Sequence, residues 1–188
     1  VMFQGQESPA PYPPDDPVLA VALAMFIQDG WIDVRKLGTE AGVSRATLYR
    51  RYVDRDRILG EVVWSQASAD LVALRARYRG KGADGIAQTV DGLLRLSAER
   101  SSMRTFLTEH TDVALRVLTS QHGVVQRRFI GSVAEWITEE IGAPADIDTE
   151  TLAYAVVRLG ESFYYREYIT GESGGLDAAA VIIGRLLR

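Results

Sequence analysis

From Val18 to the end of the chain, apolar residues recur at intervals of three and four, with no sustained two-residue alternation and no hairpin turn. This pattern predicts an all-α protein. A first helix runs through the apolar stretch Val18 to Ile27 and stops at Gly30. Leu37 and Ala41 mark a short second helix, Gly42 a turn, and Ser44 the N-cap of a third helix carrying Leu48. After a polar break at Asp54 to Asp56, Ile58, Val62, Val63, Leu71 and Tyr78 mark a long helix stopped by Gly80 and Gly82. Ile86, Val90, Leu93 and Leu94 give the next helix, and Met103, Phe106 and Leu107 a short one. A long stretch from Asp112 to Ile141, bending near His122-Gly123, ends at Gly142 and Pro144. Asp148 caps a helix to about Thr170, and a glycine-rich loop leads to a last helix from Leu176, making about nine in all.

The segment Val34 to Arg57, VRKLGTEAGVSRATLYRRYVDRDR, has the layout of a helix-turn-helix followed at once by another helix. Val43 and Leu48 face inward, leaving Arg45, Ala46, Thr47, Tyr49 and Arg50 outward on the first turns of the second helix, the part that enters a major groove. Their chemistry suits that place. Arg45 or Arg50 can pair bidentately with a guanine edge, Ala46 and Thr47 can touch a thymine methyl, and Tyr49 can donate to a phosphate oxygen. An ordinary surface hairpin would carry the same arginines as a solvated face. Charge placement favours the reader: residues 31–60 hold seven Arg or Lys against four Asp or Glu, in a chain whose formal net charge is −4.

The order AGVSRATLYRRY, a short polar break, then a long helix from Ile58-Leu59 resembles the DNA-binding domain of the TetR family of bacterial transcriptional regulators. The likeness spans about Val18 to Val63. Tyr52 stands where the family most often has Phe, Arg55 where it usually has a phosphate-contacting Lys, and Gly38 where it usually has Ala. Tyr and Arg keep the aromatic packing and the charge, whereas glycine inside a helix costs about 1 kcal/mol relative to alanine. The resemblance implies a DNA-binding domain at residues 17–60, with Arg55 on phosphate. It also implies a helical ligand-binding and dimerisation domain at residues 61–188.

Two stripes run along the helix from Asp148. Leu152, Val156, Leu159 and Phe163 share one side, with Gly160 beside them, while Tyr154, Arg158, Glu161, Ser162 and Tyr165 share the other. Both stripes can belong to one monomeric core. The resemblance implies instead that Leu152, Val156, Leu159, Gly160 and Phe163 pair with a second copy, and that the polar-aromatic side faces an effector pocket. Phe106, His110, His122, Phe129, Tyr154, Arg158, Ser162 and Tyr165 are its expected lining. Such a lining suits a small, mainly apolar molecule with one or two acceptors, such as a lactone, an acyl compound or an aromatic acid.

Composition adds mainly exclusions. With no cysteine there is no disulfide or thiolate metal site, and the two histidines, His110 and His122, have no metal-binding spacing. No metal or cofactor is expected. The longest apolar run is too short to span a bilayer, and a cytoplasmic protein is expected. Residues 1–16 begin with VMFQG, which resembles the remnant of a protease-cleavage tag, and continue Pro-rich and acidic as a mobile arm. Gly171-Glu172-Ser173-Gly174-Gly175 matches the G-x-S-x-G nucleophile pattern without the strand that such an elbow requires, so no enzyme is expected. The expected function is a ligand-responsive regulator, a repressor, binding a palindromic operator on double-stranded DNA as a homodimer. A constitutive DNA-binding dimer without a ligand is the alternative.

Overall fold

The computed structural model describes residues 16–172 and 174–188. Residues 1–15 of the expected N-terminal arm and Ser173 of the G-x-S-x-G match lie outside these residues, whereas Asp16, expected in the mobile arm, is the N-cap of α1. Among the described residues there are eleven helices and no strand: α1 (Pro17–Asp29), α2 (Val34–Glu40), α3 (Arg45–Tyr52), α4 (Arg55–Tyr78), α5 (Gly82–Glu99), α6 (Ser101–Glu109), α7 (Thr111–Thr119), α8 (Val124–Glu140), α9 (Thr149–Tyr164), α10 (Arg166–Thr170) and α11 (Leu176–Leu186). Two stretches that periodicity reads as single helices are interrupted. One breaks at Ser120 to Gly123 and the other at Tyr165. The first is a full turn and not a bend, closed by Gly123 N–H donating to Ser120 O at 2.8 Å.

The chain forms two compact units interleaved in sequence. One contains residues 16–68 and 99–127, the other residues 69–98 and 128–188, and the long helices α4 and α8 supply residues to both.

In the first unit, Asp16 caps α1 by accepting from Val18 N–H at 3.0 Å. The same carboxylate accepts from the Tyr52 hydroxyl and pairs with Arg51 at 3.2 Å, fastening the start of α1 to the end of α3. Burial and the bond to Asp16 hold the Tyr52 phenol well above its usual range. At the other end of α1, Phe26 meets Phe106 of α6 edge to face at 5.4 Å. Gly30 closes α1 at φ +66°, and a Cβ there would lie 2.7 Å from Thr105 Cβ and 2.8 Å from Ser102 O. Only glycine fits the conformation and the space. Gly60 likewise lets α4 lie against Val117 and Val124.

In the second unit α9 packs along α11, and Gly160 admits Leu94 and Val90 of α5 and Ile183 of α11. α5 approaches α4 at Gly92, where a Cβ would meet Leu74 Cδ2 at 2.7 Å. The turn between those helices is held by a residue distant in sequence. Glu140 accepts from Gly80 N–H at 2.8 Å, from Gly82 N–H at 2.9 Å and from Arg75 at 2.7 Å. Burial opposes its charge, but these bonds prevail and hold its carboxyl below the usual glutamate range.

One backbone position is strained. Val53, which ends α3, has φ 68° and ψ −59°, and Asp54 N–H donates to Tyr52 O at 2.8 Å. These are the marks of a γ-turn of the rare, strained kind. A β-branched residue is poorly suited to positive φ, and its side chain is 76% exposed, so no packing compensates. Val53→Gly is expected to raise stability by about 1 kcal/mol. Urea unfolding of the two proteins checks this, and a loss on substitution would mean that the turn is relaxed.

Candidate nucleic-acid interface

The reading head is built by local rules. Asp33 caps α2, accepting from Arg35 N–H at 2.7 Å and Lys36 N–H at 3.0 Å, and these backbone bonds hold its carboxyl below the usual aspartate range. Gly42, at φ +67°, makes the turn, and Ser44 caps α3 by accepting from Thr47 N–H at 3.1 Å. Leu48 and Leu37 are buried beneath. Gly38 has a packing reason absent from its helix propensity. A Cβ there would lie 3.0 Å from Val43 O in the turn and 3.6 Å from Leu48 Cδ1 of α3, so the motif closes on α2 where α2 has no side chain.

With the inner face so occupied, Arg45, Ala46, Tyr49 and Arg50 are exposed, as the helix-turn-helix reading expects. Thr47 is half-buried, with its hydroxyl 2.9 Å from that of Ser44. Arg45 and Tyr49 contact each other, the guanidinium lying 5.5 Å from the ring centroid. They also line an open groove of about 570 Å³ shared with Trp31, Asp33, Arg35, Asp54, Arg55 and Asp56. α4 begins in the lining of this groove, with Asp54 accepting from Arg57 N–H at 2.7 Å. Asp56 is paired with Arg116 of α7 at 2.7 Å. The head thus brings Arg45, Tyr49 and Arg55 to one concavity and leaves Ala46 and Arg50 outside its lining. Trp31 and Arg35 of the lining are not among the expected site residues, and a tryptophan two residues before a helix cap is the one signal of them in the sequence.

The residues expected to line an effector pocket divide between the two units. Phe106 is fully buried against Phe26 and 6.4 Å from Trp31. His110 stacks on Trp31 at 3.8 Å, and His122 is exposed in the turn before α8. Phe129 and Tyr165 are buried in the other unit, where Tyr154 is 52% exposed and Ser162 is also exposed. Arg158, half-buried, holds Glu161 at 2.8 Å. Of the stripe expected between subunits, Leu152, Val156 and Gly160 turn into the protomer's own core, while Leu159 and Phe163 are half-buried, Phe163 lying against Gly175.

Residues 18–62 match the family described as bacterial regulatory proteins, tetR family, and residues 81–188 match the tetracyclin repressor-like C-terminal domain. The chain belongs to the TetR family. No curated protein matches it. A solved TetR-family structure, the transcriptional repressor QsdR of R. erythropolis, superposes with a TM-score of 0.77 at 23% identity. The alignment covers 90% of this chain and 92% of that one, which establishes a shared fold. The TetR-family protein described here therefore has the fold of a DNA-binding transcriptional regulator and not of an enzyme. Among its described residues, no helix is long and apolar enough to cross a membrane.

One group in the body should respond to pH. Glu161 is 4% exposed, and burial raises its carboxyl to about 8 although Arg158 lies beside it. The folded protein then keeps a proton that the unfolded chain releases near the usual glutamate value of about 4.3. Its contribution to stability is full below that value and is lost as pH rises through about 8. Glu161→Gln is expected to flatten that decline, seen by comparing urea midpoints at about pH 5 and about pH 8.5. An equal decline in both proteins would assign it to other groups.

Proposed function

We propose that this TetR-family protein is a ligand-responsive repressor that binds an inverted-repeat operator as a homodimer. The observation that carries the reading is the convergence of Arg45, Tyr49 and Arg55 on one groove at the exposed first turns of α3. In the groove of DNA, Arg45 and Arg50 read base edges, Ala46 and the Thr47 methyl contact thymine, and Tyr49 and Arg55 reach phosphate. The solved relative is titled a repressor, which supports that sign of regulation.

The dimer uses the C-terminal pair α9 and α11. With Leu152 and Val156 turned inward, the outward apolar positions are Tyr154 on α9 and Val181, Ile182 and Leu186 on α11. Exposed at 52%, 56%, 41% and 46%, they are the apolar positions that a four-helix bundle with a second copy would cover. A two-fold axis sets two copies of α3 about 34 Å apart, the separation of successive major grooves. An effector held in the body favours a dimer of different head separation, and a coupling of about 1 to 3 kcal/mol suffices for release. Glu161 and Tyr165, buried polar groups of the body, support a partly polar effector site.

A constitutive DNA-binding dimer is the second reading. It is favoured by Phe106 being committed to Phe26 and by the exposure of His122, Tyr154 and Ser162. Lactones, acyl compounds and aromatic acids tested for release of bound operator separate the two, and release by none favours this second reading.

Purified protein incubated with fragments of its source genome is expected to retain one inverted repeat. Recovery of no enriched sequence would sink the repressor reading. On the recovered DNA, Tyr49→Ala and Arg50→Ala should each weaken binding by about 1 to 3 kcal/mol without lowering the melting temperature. Ile182→Glu should give a monomer by light scattering and lose tight operator binding. A dimer that persists would locate the interface elsewhere.

A further inference from the structure

We infer that Trp31 and His110 are positioning residues for Arg55, so that a side chain at the α6–α7 junction sets phosphate affinity without touching DNA. The inference rests on the reading of Arg55 as a phosphate contact.

The Arg55 guanidinium lies 4.2 Å from the centroid of the Trp31 ring. The His110 imidazole stacks on the same ring at 3.8 Å with the planes inclined by 23°. Two planar groups this close to one ring cannot share a face, so the indole is held between the imidazole and the guanidinium. Among the described residues, no hydrogen bond or ion pair fixes Arg55. Its Nε is buried with no hydrogen-bond partner, and the carboxylates sharing its groove are engaged elsewhere. Asp33 caps α2, Asp54 caps the start of α4, and Asp56 holds Arg116. A guanidinium oriented by a ring face and not by a carboxylate keeps its Nη–H donors for an incoming anion. An ion pair would have spent those donors and cancelled the charge.

The far side of the stack is rigid. His110 ends α6 and begins α7, its N–H donating to Phe106 O at 3.1 Å and its carbonyl accepting from Ala114 N–H at 2.8 Å. Trp31 follows Gly30, whose close approach to Thr105 and Ser102 fixes where the indole begins. A guanidinium suits this arrangement better than a lysine ammonium, which carries the charge without a flat surface to stack.

The test is a double-mutant cycle on a duplex carrying the selected inverted repeat, with binding followed over a range of salt. Arg55→Ala is expected to weaken binding and to reduce the slope of log K against log salt by about 1. His110→Ala is expected to weaken binding about two- to fivefold, the size of a partly exposed cation–π contact, with its melting temperature kept. That loss should vanish in the Arg55→Ala and Arg55→Lys backgrounds, and His110→Phe, which restores a flat ring, should recover the affinity. Full affinity in His110→Ala, or the same loss with and without Arg55, overturns the positioning role while leaving Arg55 a phosphate contact. Unchanged affinity and slope in Arg55→Ala overturn the phosphate reading, and the inference with it. Should His110→Ala fail to fold, His110→Leu fills the space without a π face and gives the same discrimination.

Discussion

The contact on which the reading head depends is the seat of α1 on α6. At Gly30 the backbone turns through positive φ with no room for a single added carbon between it and Ser102 and Thr105, and one turn earlier Phe26 locks onto Phe106. Close-packed interfaces of this kind transmit displacement and do not absorb it. α6 is therefore part of the head's own compact unit, and Asp16 closes that unit at its opposite end through Tyr52 and Arg51. A recognition helix of eight residues is too short to hold its shape alone. Its orientation comes from this frame.

What could be read in the sequence was what local chemistry determines. Ser44, Gly42 and Asp148 take the capping and turning roles their types predict, Leu48 is the buried anchor of α3, and the outward set on α3 follows from helical period alone. Periodicity reports that a helix has an apolar stripe, but not what covers it. Leu152, Val156 and Gly160 do share a stripe, and it is buried within the protomer, with Val90, Leu94 and Ile183 of the same chain against Gly160. The break at Ser120 to Gly123 shows in the sequence only as a bend at His122-Gly123, and the one at Tyr165, with no proline or glycine beside it, leaves no trace. The Trp31–His110 contact joins residues far apart in sequence, and no window-based reading could have found it.

The arginines of the head show how charge is divided by partner. Arg51 faces Asp16 and Arg57 faces Glu61, so neither offers a bare cation to DNA. Arg45 rests on Tyr49 and Arg55 on Trp31, contacts that orient a guanidinium without neutralising it. A count of basic residues overstates the charge available at the surface, and the type of partner says which residues supply it.

Glu140 has a consequence for how parts of the body depend on one another. Its carboxylate closes the turn between α4 and α5 by accepting from both Gly80 and Gly82, yet it arrives from about 60 residues further along the chain. The α4–α5 hairpin is local, but two amide groups of its turn exchange water for a protein acceptor only when α8 docks. The turn of a local hairpin is thus completed by a distant partner, which ties the stability of the α4–α5 turn to the docking of α8.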